Sequence, residues 1–278
     1  MKELKLILCF ILFSYCKSFA QELRLGTKIQ TISNGALAYE YVEHTNDTTL
    51  PTIVFESGAL SSSSYWNPVI DSISKYANTI RYDRAGLGRS HAPLDTIRSA
   101  NQIAKELNEL LDSIKIKKPI ILVCHSAGGF YGRAFSHHFS EKVKVLVLIE
   151  SPCTKWESIL RSSLSKRQIE ERNAILKRNR LELSIYERKE YQASELNRKF
   201  LDSHPKMQIP VFIIYGNNHN WPENYNAHLL NKNWKECQES LANISTNSKI
   251  IIANGSGHHV FQEFDLSNFL KNMITELN

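Results

Sequence analysis

Six short runs, residues 53–56, 79–82, 120–124, 143–149, 211–215 and 249–253, are mostly apolar and β-branched, and each is closed by turn residues. A strand can be apolar at nearly every position only where both faces of its sheet are covered. The runs therefore specify a parallel sheet between layers of helix. Stretches with helical spacing at 100–114 and 130–139 lie between them, and another at 266–277 follows the last run. This alternation predicts an α/β architecture. Residues 23–32 and 36–43 alternate apolar with polar and meet at Asn34-Gly35, which reads as an antiparallel hairpin at the start of the sheet. With 278 residues, 42% hydrophobic and 22% charged, the chain can bury one large core. That composition excludes a disordered, collagen-like or disulfide-scaffold protein.

Residues 154–204 break the rhythm. They contain no Gly or Pro, and apolar residues such as Leu160, Leu164 and Ile169 recur at helical spacing among dense charge. The segment is read as a helical insertion between two strands. Its 12 Lys/Arg against 8 Asp/Glu leave a surplus of +4. Such a surplus is what a solvated helix surface carries, and it also suits contact with an anionic substrate or membrane surface.

Lys2 and Lys5 precede the apolar run 6–13, and Ser18-Phe19-Ala20 follows before Gln21. This is the pattern of a cleaved signal peptide over residues 1–20, and a membrane span needs a longer run. The reading implies a secreted or periplasmic protein. Cys16 would mark a lipid-anchored alternative, which the bulky Tyr15 before it disfavours. Removing the leader takes away three Lys and one Glu, so the formal charge falls from +6 to +4. Nucleic acid is not an expected partner at that charge. Cys124, Cys153 and Cys237 remain, an odd number that specifies no disulfide framework and leaves a single Cys153–Cys237 bridge open. No Cys or His spacing suggests a metal site.

The run 120–123 leads into Cys124-His125-Ser126-Ala127-Gly128-Gly129 and then a helical stretch. A serine on a sharp strand-to-helix turn needs small residues two positions before and after it. Cys124 and Gly128 meet that need, although Cys stands where the G-x-S-x-G pattern has its first Gly. Together with Glu56-Ser57-Gly58-Ala59, Tyr82-Asp83-Arg84-Ala85-Gly86-Leu87-Gly88-Arg89-Ser90 and Ser256-Gly257-His258-His259, this turn makes the chain resemble a cap-bearing, Ser-nucleophile α/β-hydrolase. The likeness spans nearly everything outside the leader and the insertion. It implies an eight-stranded, mostly parallel sheet with helices on both faces, a core over 21–152 and 206–278, and a helical cap over 153–205. A rival dinucleotide loop at Gly86-Leu87-Gly88 fails because its third glycine would fall on His91.

Serine attack requires a histidine base and a carboxylate that fixes the base. The resemblance points to Ser126 as nucleophile and His258 as base, with His259 turned elsewhere and His125, His137 and His138 in packing or surface roles. Family members often carry the acid as Asp after the strand at 211–215, but here that turn reads Gly216-Asn217-Asn218-His219. The apolar run 143–149 ends instead in Glu150, and a carboxylate directly after a buried strand needs a partner. Glu150 is the expected acid, with Glu223 as the alternative. The oxyanion hole is expected at the backbone N–H groups of Ala59 and Ala127. Asp83 is expected to be structural.

The resulting expectation is a hydrolase acting on a small-molecule carboxylic ester through an acyl-enzyme, with no cofactor. Aminopeptidase, thioesterase and carbon–carbon bond hydrolase reactions use the same triad. A ligand-binding homologue without turnover is the alternative outside enzymology.

Overall fold

A computed structural model describes residues 26–44, 47 and 49–277. The leader expected over 1–20 lies outside these. Among the described residues, the chain forms one eight-stranded sheet in the order β1-β2-β4-β3-β5-β6-β7-β8. The strands are β1 Lys28–Ile32, β2 Gly35–Val42, β3 Thr52–Glu56, β4 Asn78–Tyr82, β5 Ile120–His125, β6 Val143–Ile149, β7 Met207–Gly216 and β8 Ser245–Ala253. The β1–β2 and β2–β4 pairs are antiparallel and every later pair is parallel.

Side-chain alternation along each strand divides the apolar runs between two layers. Leu122 and Cys124 of β5 and Leu146 and Leu148 of β6 pack under α2 (Ala100–Ser113), α3 (Gly128–His138) and α8 (Ala227–Ser240). Ile121, Val123, Val145 and Val147 pack under α1 (Asn67–Ile73) and α9 (Leu266–Leu277). The near-continuous runs of the inner strands β3, β5 and β6 are apolar because both layers are needed. Helices α1 and α8 lie in stretches for which the patterning names no element.

The insertion after β6 is four helices rather than one continuous rod: α4 Trp156–Ser162, α5 Lys166–Glu182, α6 Ile185–Gln192 and α7 Ser194–Asp202. Two breaks have a local cause. Ser165 with Gln168 and Ser184 with Glu187 form reciprocal capping boxes that start α5 and α6. The root of this cap is tied covalently to the core, since Cys153 and Cys237 of α8 form a disulfide with Cα atoms 5.5 Å apart. Only one of the three cysteines beyond the leader, Cys124, stays free, buried beneath α3.

Candidate active site

The carboxyl ends of β3, β5, β6 and β7 converge, as they do where open parallel sheets bind ligands. Ser126 continues β5 by one residue, its N–H donating to Ile149 O at 2.8 Å, and then turns with φ +52°. That left-handed conformation is costly for a non-glycine residue and lifts the side chain off the strand end. Helix α3 begins two residues later and runs so close to β3 that a Cβ on Gly128 would lie 2.7 Å from Ser57 O.

Cys124 at the first position of the turn is accommodated by the same helix. A Cβ on Gly132 would sit 2.2 Å from Cys124 Sγ, so the glycine leaves the space that the thiol fills. Gly132→Ala is therefore expected to destabilise the fold by about 1–3 kcal/mol through overpacking. Adding Cys124→Ala should restore most of the loss in a double-mutant cycle followed by calorimetry. Additive effects would show that the two positions do not share this space.

Glu150 repeats the strategy of Ser126. Its N–H donates to Ile214 O at 2.8 Å and its φ is +51°, which swings the carboxylate into the crevice. Oε1 accepts from Gly216 N at 2.5 Å and from Trp234 Nε1 at 3.5 Å. Oε2 accepts from His219 Nε2 at 2.8 Å and from His258 Nδ1 at 3.4 Å. Burial alone would raise the carboxyl, but hydrogen bonds and charge from the two histidines hold it down at about 2. An ionised carboxylate only accepts, so the facing nitrogens of both rings carry protons. For His258 this leaves Nε2 as the basic nitrogen of the neutral ring.

The position where an aspartate was sought thus carries His219, which donates to the carboxylate from the loop after the neighbouring strand β7. Glu223 lies exposed on the same loop. His125 takes the packing role expected of it and adds a hydrogen bond that the sequence did not announce. It is buried and stacked on Tyr65, and its Nε2 donates to His258 O at 2.9 Å. Burial pushes its ring well below the usual histidine range, so it stays neutral and positions the loop of His258. Neither role has a signal in one sequence, because each pairing joins residues far apart in the chain. His259 turns towards Tyr65, with ring centroids 6.0 Å apart. Asp83 is buried and accepts from Ser63 N at 2.7 Å and Arg89 N at 3.0 Å, which is structural work.

Above Ser126 a cavity of about 220 Å³ separates core from cap. Ala59, Ser126, Ala127 and Phe130 line its floor, and Trp156, Leu176, Leu183 and Tyr191 belong to its cap wall. The family model described as alpha/beta hydrolase fold matches residues 51–275.

The chain belongs to the α/β-hydrolase family.

The uncharacterized protein YqjL of Bacillus subtilis (strain 168) is 25% identical over 230 residues, covering 80% of this α/β-hydrolase and 82% of YqjL. A malate-bound thermophilic esterase from Thermogutta terrifontis superposes with a TM-score of 0.61 at 16% identity, covering 90% and 97% of the two chains. Est816, described as an N-acyl homoserine lactone degrading enzyme, gives a TM-score of 0.61 at 16% identity, covering 90% and 100%. At such identity these two likenesses are of fold alone. The eight-stranded sheet with helices on both faces is the α/β-hydrolase fold, and this α/β-hydrolase is a hydrolytic enzyme.

Proposed function

We propose that this enzyme hydrolyses carboxylic esters of small molecules through a Ser126–His258–Glu150 triad. The observation that carries the reading is Glu150, an ionised carboxylate buried at a strand end and directed at His258 Nδ1. His258 Nε2 takes the Ser126 proton as Oγ attacks the carbonyl, and Glu150 stabilises the imidazolium that forms. The N–H groups of Ala59 and Ala127 receive the oxyanion. His258 then protonates the departing alcohol, and water, activated by the same ring, releases the acid from Ser126. The names of the esterase and lactone-degrading neighbours agree with ester chemistry.

The reading is tested by treating the mature protein with a fluorophosphonate and mapping the adduct by mass spectrometry. Modification at Ser126, with turnover of p-nitrophenyl esters, is expected. A folded protein that neither labels nor turns over esters, but binds a ligand, would instead be the non-catalytic homologue.

The cap's positive surplus supports a substrate whose remote end is anionic. Arg180 and Arg198 line the cavity, and Arg180 stacks over Tyr191 at 4.0 Å from the ring centroid. Three carboxylates line the cavity too, and each is engaged: Glu157 pairs with Arg172 at 2.9 and 3.0 Å, Glu190 with Arg84, and Glu187 accepts the Ser184 N–H of its capping box. A half-ester such as mono-p-nitrophenyl glutarate should show a KM about fivefold below that of p-nitrophenyl butyrate, the worth of one partly exposed ion pair. Arg180→Gln with Arg198→Gln should erase the difference; equal values in the wild type would discard the anionic substrate. A secreted or periplasmic location remains part of the proposal, supported by the Cys153–Cys237 bridge, which an oxidising compartment sustains.

A further inference from the structure

Arg84 follows β4 and is buried, with 2% of its surface exposed. A guanidinium has five N–H donors, and here every one is used. Nη1 donates to Glu56 Oε1 and to Ser57 O, each at 2.8 Å. Nη2 donates to Gly58 O at 2.8 Å and to Glu190 Oε2 at 2.9 Å. Nε donates to Glu190 Oε1 at 2.8 Å. Burial disfavours this charge, but Glu190 and Glu56 more than offset the penalty and the group stays protonated. The Tyr131 ring lies beneath it, 4.8 Å from centroid to Cζ.

The partners fall on two separate pieces of the molecule. Glu56 ends β3, the Ser57 and Gly58 carbonyls form the turn that follows, and Glu190 belongs to cap helix α6. Glu190 is buried at the α6 end and borders the cavity that Ala59 and Ser126 also line. Gly58 O and Ala59 N–H belong to one peptide unit. That unit is planar and trans, so its carbonyl and its N–H point in opposite directions. Whatever holds the carbonyl on one side aims the N–H on the other.

We propose that Glu190 is a positioning residue for the oxyanion hole: from the cap, and through Arg84, it fixes the peptide plane that presents the Ala59 N–H. The inference rests on the triad reading above and extends it, because a cap residue with no contact to the reacting atoms then controls transition-state stabilisation. Two of the five Arg84 bonds come from Glu190, and they set the tilt of the guanidinium plane. Without them Nη2 keeps its reach to Gly58 O but loses the bidentate clamp that orients it. Burying a charged cluster of this kind gains little net stability, which is consistent with a role in geometry.

The test uses Glu190→Gln, which keeps volume and one acceptor but breaks the clamp, and Arg84→Lys, which keeps charge but lacks the planar fork that clamps Glu190 in two bonds while holding Gly58 O. Each is assayed with a p-nitrophenyl ester and with its thionoester, in which sulfur replaces the carbonyl oxygen and accepts hydrogen bonds poorly. Expected is a kcat on the oxygen ester about 10- to 100-fold lower with KM within about threefold, since one misdirected donor forfeits part of an oxyanion hole. The thionoester rate should change much less, so the oxygen-to-sulfur ratio collapses. A folded variant whose kcat stays within about twofold of wild type, or which loses both rates equally, overturns the proposal. If Glu190→Gln does not fold, Arg84→Lys carries the same criterion. Wild-type protein that hydrolyses neither ester and takes no label at Ser126 would remove the triad reading itself, a result distinct from any behaviour of the variants.

Discussion

Glu150→Gln is expected to lower kcat/KM for ester hydrolysis by about 10³–10⁴-fold while leaving the protein folded. The carboxylate accepts from four donors, Gly216 N, Trp234 Nε1, His219 Nε2 and His258 Nδ1. Gly216 N and Trp234 Nε1 can only donate, so a carboxamide keeps its oxygen on that side and turns its NH₂ towards the two imidazoles. His258 then loses the proton at Nδ1 that leaves Nε2 basic, and the imidazolium loses its counter-charge. Steady-state kinetics with a thermal midpoint control decide the matter, and activity within about tenfold of wild type would discard Glu150 as the acid. The substitution also has a pH signature. The carboxyl lies at about 2 in the fold against an ordinary 4.5, a depressed value. Its stabilisation is therefore present above about pH 4.5 and lost as pH falls towards 2. Acid unfolding of the Gln variant should be correspondingly less steep in that interval.

Ser126→Ala should reduce turnover by at least about 10⁴-fold and abolish fluorophosphonate labelling, because the proposed acyl intermediate forms on its Oγ. The cavity keeps its walls, so a competitive inhibitor that binds without reacting should retain its affinity, measured by calorimetry. Residual turnover above about one part in 10³ that is still labelled elsewhere would move the nucleophile away from the turn after β5. The two variants fail differently. Loss of Ser126 removes the covalent step, whereas loss of Glu150 leaves a nucleophile that labels slowly.

Residues that speak for themselves were those under local constraint. The runs at 120–124 and 143–149 could be read because a doubly covered strand must be apolar throughout, and Glu150 stood out because it ends such a run. Strand β8 begins at Ser245, four residues before the apolar run, and departs from the double-cover rule: at the edge of the sheet, Ile250 and Ile252 of that run are exposed. Pro210 similarly hid the start of β7, where the ladder shifts register between Met207 and Pro210. Helix α5 buries Leu176 alone, so its apolar spacing says little, and its start lies in the Ser165–Gln168 box rather than in periodicity. The contributions of His125, His219 and Glu190 were illegible for a common reason: each depends on a partner far away in sequence that only the folded chain brings close. His219 and Glu150 are 69 residues apart, and Glu190 and Arg84 are 106 apart.

The Cys153–Cys237 bond closes a covalent ring that contains the whole cap, β7 and most of α8. A protease that nicks any one of the cap's connecting loops would therefore make a two-chain protein whose halves cannot diffuse apart. On a denaturing gel the nicked enzyme runs as one species until thiol is added, and then as two. The cap can thus be cut without being lost, and removing any piece of it takes a second cut.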